Sequence, residues 1–154
     1  MRRRVAISLC MIAALPAMAQ EVTTPMPPAV ATPTPEAAPD RSDLTLEDVI
    51  SRQLDAFNAR DVDLAWTFAS PMIQGLFGNS RNFGTMVSQG YPMVWDNSAA
   101  RFVGSREEGG RIYRQVMVQD TNGALHMLEY AMIQTPQGWK IDGVSLLPAP
   151  DVGV

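Results

Sequence analysis

Three turn signals limit what the second half of this 154-residue chain can become: Glu107-Glu108-Gly109-Gly110, Thr121-Asn122-Gly123 and Pro136-Gln137-Gly138. Each places glycine, asparagine or proline between stretches rich in strand formers, and such residues tolerate the dihedrals a tight reversal needs. The Asn-Gly pair is the strongest short hairpin signal among them. The intervening stretches, residues 100–105, 111–119, 124–134 and 139–147, then read as four consecutive strands of an antiparallel meander. In the last one the apolar phase changes, with Trp139 and Ile141 at odd positions and Val144 and Leu146 at even ones. A period of two cannot change phase without an inserted residue, so a bulge is expected at Gly143.

The first half has a different period. Leu46, Val49, Ile50, Leu54 and Phe57 recur at helical spacing, behind a Thr45/Asp48 pair that matches a capping box. Asp61 has the position of an N-cap for a second short helix carrying Leu64, Ala65, Trp66 and Phe68, which Ser70-Pro71 stops or bends. Residues 72–77 are apolar, and Gly78-Asn79 punctuates them. A third helix is expected over 80–88, with Phe83, Met86 and Val87 on one face, ended by Gly90-Tyr91-Pro92. Two or three helices followed by a curved four-stranded antiparallel sheet make an α+β fold, with the helices across one face. Residues 44–147 are thus one domain, and 148–154 read as a flexible tail.

What precedes the domain sets an expected compartment. Arg2-Arg3-Arg4, an apolar run from Val5 to Leu15, the helix breaker Pro16 and the small-x-small site Ala17-Met18-Ala19 read as a signal peptide over 1–19. The apolar run is shorter than the roughly 20 residues a membrane-spanning helix needs. Cys10 lies mid-run rather than at a lipidation site, and the residues after Arg3-Arg4 fit twin-arginine export poorly. The expectation is general secretion to a periplasmic or extracellular location, with no membrane attachment after cleavage. Residues 20–43 hold six prolines among alanine and threonine and are expected to be a disordered linker. Cleavage takes three of the 12 basic residues and none of the 16 acidic ones, leaving 9 against 16 and a net charge of −7. That charge argues against nucleic acid or anionic lipid as a partner. Cleavage also takes the only cysteine, so disulfides and thiolate chemistry are excluded.

The stretch QLDAFNARDVDLAW at 53–66 resembles the first helical hairpin of the nuclear-transport-factor-2-like (SnoaL-like, cystatin-like cone) superfamily, and Gly138-Trp139-Lys140-Ile141-Asp142-Gly143-Val144 resembles its last strand. More narrowly, Ala69-Ser70-Pro71, Phe83, Met86-Val87, Tyr91 and the Trp-x-Ile-x-Gly-Val ending are similar to a bacterial family of exported domains, domain of unknown function 4864. The resemblance spans about residues 46–147. It implies a cone in which helices and a bent sheet enclose a pocket, often in a homodimer. It implies no single activity, since isomerases, dehydratases, hydrolases and non-catalytic binding modules share the fold.

Enzymes of that superfamily place an acid–base Asp or His, often with a Tyr, in an apolar cavity. In this chain the candidates for such chemistry are His126, Tyr130 and Tyr113. His126 and Tyr130 share one face of a strand, about 13 Å apart along it, too far for direct contact. Tyr91 and Arg114 are candidates to approach from neighbouring elements. His126 follows the Asn-Gly turn, where a surface position is the simpler expectation, and no paired Asp and His match the superfamily's dyads. Trp66, Phe83, Tyr91, Trp95, Tyr130 and Trp139 are the expected pocket wall. One histidine and no cysteine cannot assemble a usual zinc or iron site, and no motif points to a cofactor. The expected function is a non-catalytic module that binds a small apolar ligand or another envelope protein. The alternative is an isomerase or dehydratase using His126 or a buried Asp with a Tyr.

Overall fold

A computed structural model describes residues 41–148 of the chain. Residues 41–43, expected as the end of the disordered linker, instead form a 3-10 turn; the expected signal peptide, the rest of the linker and all of the tail after Pro148 lie outside the described residues. Within them the order is a 3-10 turn (Arg41–Asp43), five helices and four strands. The helices are α1 (Leu46–Asn58), α2 (Val62–Thr67), α3 (Pro71–Phe77), α4 (Ser80–Gly90) and α5 (Pro92–Trp95); the strands are β1 (Asn97–Glu108), β2 (Arg111–Asp120), β3 (Leu125–Thr135) and β4 (Gly138–Leu147). The expected two or three helices are therefore five. Residues 71–77 form a helix of their own because Ser70 caps it and Pro71 sits in its first turn, where a missing N–H costs nothing. Pro92 opens α5 in the same way, so a residue that reads as a terminator also starts the next turn.

The caps follow from local chemistry. Thr45 Oγ1 accepts from Asp48 N while Asp48 Oδ2 accepts from Thr45 N, a complete capping box. Asp61 Oδ1 accepts from Leu64 N at the head of α2. Between the two helices Arg60 adopts φ 61°, with Asp61 N bonded to Ala56 O and Arg60 N to Phe57 O, the bonding of a Schellman motif. Arg60 is a costly residue at a position that favours glycine. Its side chain offsets the cost by donating to Phe57 O and Trp95 O, pairing with Asp96 and stacking 4.8 Å over Trp95.

The strands form one antiparallel sheet in the order β1-β2-β3-β4. Val116 and Val118 of β2 and Leu128, Tyr130 and Met132 of β3 point into the core at period two. Helices α1, α2, α4 and α5 bury Val49, Ile50, Leu54, Phe57, Ala65, Phe83, Val87, Met93 and Val94 against that face. Gly109 and Gly110, at φ 59° and 74°, make the two-residue β1–β2 turn. The Asn-Gly connection is longer, running from Asp120 to Ala124. The phase change in β4 is real and lies one residue before the expected position: Ala131 pairs with Gly143 and Met132 with Ile141, so Asp142 is the inserted residue.

Gly138 opens β4 at φ 98°, and a Cβ there would meet Arg41 O at 2.7 Å. Gly138→Ala is expected to lower stability by about 2 kcal/mol, combining positive-φ strain with a clash against backbone that has no rotamer to yield. Urea unfolding checks this; an unchanged midpoint would show that the 3-10 turn moves away freely.

Candidate functional site

At the edge of β4 the connection between α2 and α3 pairs directly with the sheet. Ile141 N donates to Phe68 O and Ser70 N donates to Ile141 O, so residues 68–70 pair along part of that edge. Asp142, displaced from the ladder by the bulge, receives Ser70 Oγ at 2.7 Å on one oxygen and Arg111 Nε at 2.8 Å on the other. Its side chain is only 5% exposed. Ser70 Oγ in turn accepts from Ile73 N, at the head of α3. Lys140 Nζ donates to Thr67 O, and burial holds its ammonium below the usual lysine range. The bulge, the carboxylate and the serine cap thus fix where α3 begins.

Held in this way, α3 does not pack flat on the core. Between it and α1, α4, α5, β3 and β4 lies a cavity of about 230 Å³. Phe57, Ile73, Phe77, Phe83, Met86, Val87, Val94, Ile141 and Val144 make its wall largely apolar. No residue of α3 is fully buried. Leu76 lines the cavity yet is 72% exposed, which places it at the mouth.

Three polar side chains reach the wall. Gln53 donates from Nε2 to Ala65 O at 3.1 Å, and Tyr91 donates its hydroxyl to Val144 O at 2.9 Å. Tyr130 differs: its side chain is fully buried and its hydroxyl has no hydrogen-bond partner among the described residues. Burial first, and the nearby Tyr91 second, push the Tyr130 hydroxyl far above the usual tyrosine range, so it stays a neutral phenol. A buried hydroxyl with no partner carries a desolvation penalty of roughly 1–3 kcal/mol. Tyr130→Phe is therefore expected to raise the stability of the ligand-free protein by about 1 kcal/mol, read as a higher melting temperature. A loss of stability would mean that the hydroxyl has a partner after all.

Of the residues expected to form a pocket wall, Phe83, Tyr91 and Tyr130 line the cavity. Trp66 stands behind Phe83, ring centroids 5.4 Å apart. Trp95 packs on Phe57 and under Arg60, and Trp139 sits opposite Gln134 near the start of β4. Of the candidate acid–base groups, Tyr113 projects from the other face of the sheet, with the Arg106 guanidinium 3.9 Å above its ring. His126 shares the helix-facing side with Tyr130 but not the cavity; its side chain is 26% exposed at the hairpin end. Arg114, on that same side, has Nε 3.1 Å from Glu47 Oε1, without the alignment of a hydrogen bond.

The structure does pair His126 with a carboxylate that sequence spacing does not suggest: its Nε2 is 3.0 Å from Asp120 Oδ2. The Asp120 carboxyl also accepts from Asn122 N and Ala124 N, and the His126 contact, chief among these, holds its pKa below the usual carboxylate value. Those contacts close the β2–β3 turn. Among the described residues no group of three or more His, Cys, Asp or Glu is placed to hold a metal ion, and no helix is long and apolar enough to cross a membrane.

Gln53 and Asp142 are polar site residues that sequence reasoning passes over. Both leave a trace: Gln53 interrupts the buried stripe between Val49 and Phe57 at spacing four, and Asp142 sits at the phase change of β4.

No curated protein matches the chain. A solved structure does: the solution structure of a SEC-C motif-containing protein from Rhodopseudomonas palustris, at TM-score 0.50 and 14% identity, covering 68% of this chain and 80% of that one. At that identity the likeness is one of fold alone. The family described as Domain of unknown function (DUF4864) matches residues 39–154, the whole of the folded region, and the chain belongs to that family.

Proposed function

We propose that this domain is a non-catalytic binding module whose cavity takes one small, mostly apolar ligand. The observation that supports this is the apolar cavity of about 230 Å³, whose lining carries no charged side chain. A cavity smaller than the roughly 300–1,000 Å³ of drug-sized sites suits a small molecule. In this reading the helices and bent sheet form the cone that the nuclear-transport-factor-2-like resemblance implies. The proposal also places the domain outside the cytoplasm, on the strength of the Arg2 to Ala19 pattern. The isomerase or dehydratase alternative finds less support. It needs an imidazole or carboxylate facing the ligand, and the residues lining the cavity carry neither. His126 and Asp120 are engaged with each other at the hairpin end.

Naphthalene titration followed by amide NMR tests the reading. Shifts are expected to cluster on α3, α4 and β4, and to vanish in Val87→Phe, which fills the cavity from a buried position on α4. If naphthalene at its solubility limit moves none of these resonances, the cavity is not a binding site.

A further inference from the structure

Resting on that reading of the cavity, we infer that its ligand is a neutral, mostly apolar molecule carrying a hydrogen-bond donor, an N–H or O–H, which it gives to Gln53 Oε1. Gln53 lies on the buried face of α1, four residues from Val49 and from Phe57, and is 3% exposed. A primary amide in an otherwise apolar stripe is unfavourable unless its polar atoms find partners. Only one end of this amide does. Nε2 donates to Ala65 O at 3.1 Å, and because a carbonyl can only accept, that bond fixes which end is nitrogen. Oε1, at the other end, accepts no hydrogen bond among the described residues.

Oε1 differs from the Tyr130 hydroxyl in its access. The Tyr130 oxygen and Arg114 Nε are the side-chain atoms, among the described residues, that are both sealed from water-sized molecules and without a partner. Gln53 Oε1 has no partner but is not one of them, so part of its surface stays open. The hollow that Gln53 borders is the cavity, whose wall it shares with Phe57 of the same helix. The open surface of Oε1 is therefore assigned to the cavity.

The rest of the wall narrows the class. An engineered apolar cavity of about 150 Å³ holds benzene, so about 230 Å³ corresponds to a bicyclic molecule of roughly nine heavy atoms. The lining includes no Lys, Arg, His, Asp or Glu, so a charged ligand would be buried without a counter-ion. Tyr91 has already given its proton to Val144 O, which leaves the wall short of donors rather than of acceptors. A ligand with only acceptors would set a second oxygen against Oε1. A hydrocarbon would strip Oε1 of water and return nothing. A donor on an apolar frame satisfies it.

Three bicyclic probes of matched shape separate this inference from the reading beneath it: indole with an N–H donor, benzofuran with an acceptor oxygen in the same place, and indene with neither. Each is titrated into the purified protein and followed by amide NMR. Indole is expected to bind about fivefold tighter than the other two, the ratio that one net hydrogen bond supplies. In its complex a nuclear Overhauser effect is expected between the indole N–H and the Gln53 side-chain amide protons. Gln53→Met keeps the length of the side chain and removes the oxygen, so the preference should vanish while indene still binds. That variant also loses the bond to Ala65 O, and the comparisons within the unaltered protein stand without it. Equal binding of all three probes, or a preference for benzofuran, overturns the inference. A preference for indole without the Gln53 contact, or one that survives in Gln53→Met, overturns the assignment to Oε1. No binding of any probe removes the cavity reading itself.

Discussion

Asp142→Ala is expected to lower stability by about 3 kcal/mol and the melting temperature by roughly 15 °C. The loss falls unevenly on the two partners. Arg111 is half-exposed, so its guanidinium returns to water at little cost. Ser70 is fully buried, and its hydroxyl would be left without the acceptor it now has at 2.7 Å. The asymmetry makes a second variant informative. Asp142→Asn keeps an oxygen for Ser70 but turns an NH2 toward the Arg111 N–H, so about half of the loss is expected. In a double-mutant cycle, Ser70→Ala and Asp142→Ala should show a coupling of roughly 1–2 kcal/mol. Additive effects would mean that the 2.7 Å contact contributes little in solution. Because Ser70 also heads α3, both single variants should broaden the NMR signals of that helix and weaken naphthalene binding. Loss of binding without loss of stability would contradict the placement of Asp142 as an anchor.

The architecture was readable wherever a period or a cap carried it. The capping box at Thr45, the Asp61 cap and the three turns locate α1, α2 and the four strands, since each is a local interaction within a few residues. Residues 71–77 and 92–95 were harder, because one or two turns of helix give no periodicity, and proline signals both a stop and a start. The site was legible only in part. Phe83, Tyr91 and Tyr130 are aromatic and conspicuous. Trp66, Trp95 and Trp139 are equally so, yet which aromatic ring faces a cavity is decided by how far α3 stands off the sheet. That distance depends on Ser70 and Asp142, 72 positions apart in sequence. Likewise the His126–Asp120 contact is made by the path of the 120–124 connection, which strand alternation does not encode.

Phe57→Ala should be the most damaging single truncation near the cavity, at about 3–4 kcal/mol in urea or thermal unfolding. Phe57 is 1% exposed and holds α1 to α4 and α5 through ring contacts with Phe83 and Trp95, each at 5.9 Å between centroids. It also lines the cavity, which changes what its removal does. In a solid core, truncation opens a new hole whose lining partly collapses. At Phe57 the vacated space joins the existing cavity of about 230 Å³, so the wall there is already propped and has little to collapse onto. The variant should therefore admit a larger ligand: phenanthrene, one ring more than naphthalene, is expected to bind it more tightly than the unaltered protein. Ile50→Ala supplies the control, because Ile50 is completely buried on the same helix but does not line the cavity. It should cost a comparable 2–4 kcal/mol and leave ligand size preference unchanged. If both variants gain phenanthrene binding alike, general loosening of the core explains it. If only Phe57→Ala does, the ligand occupies the space between α1 and α3.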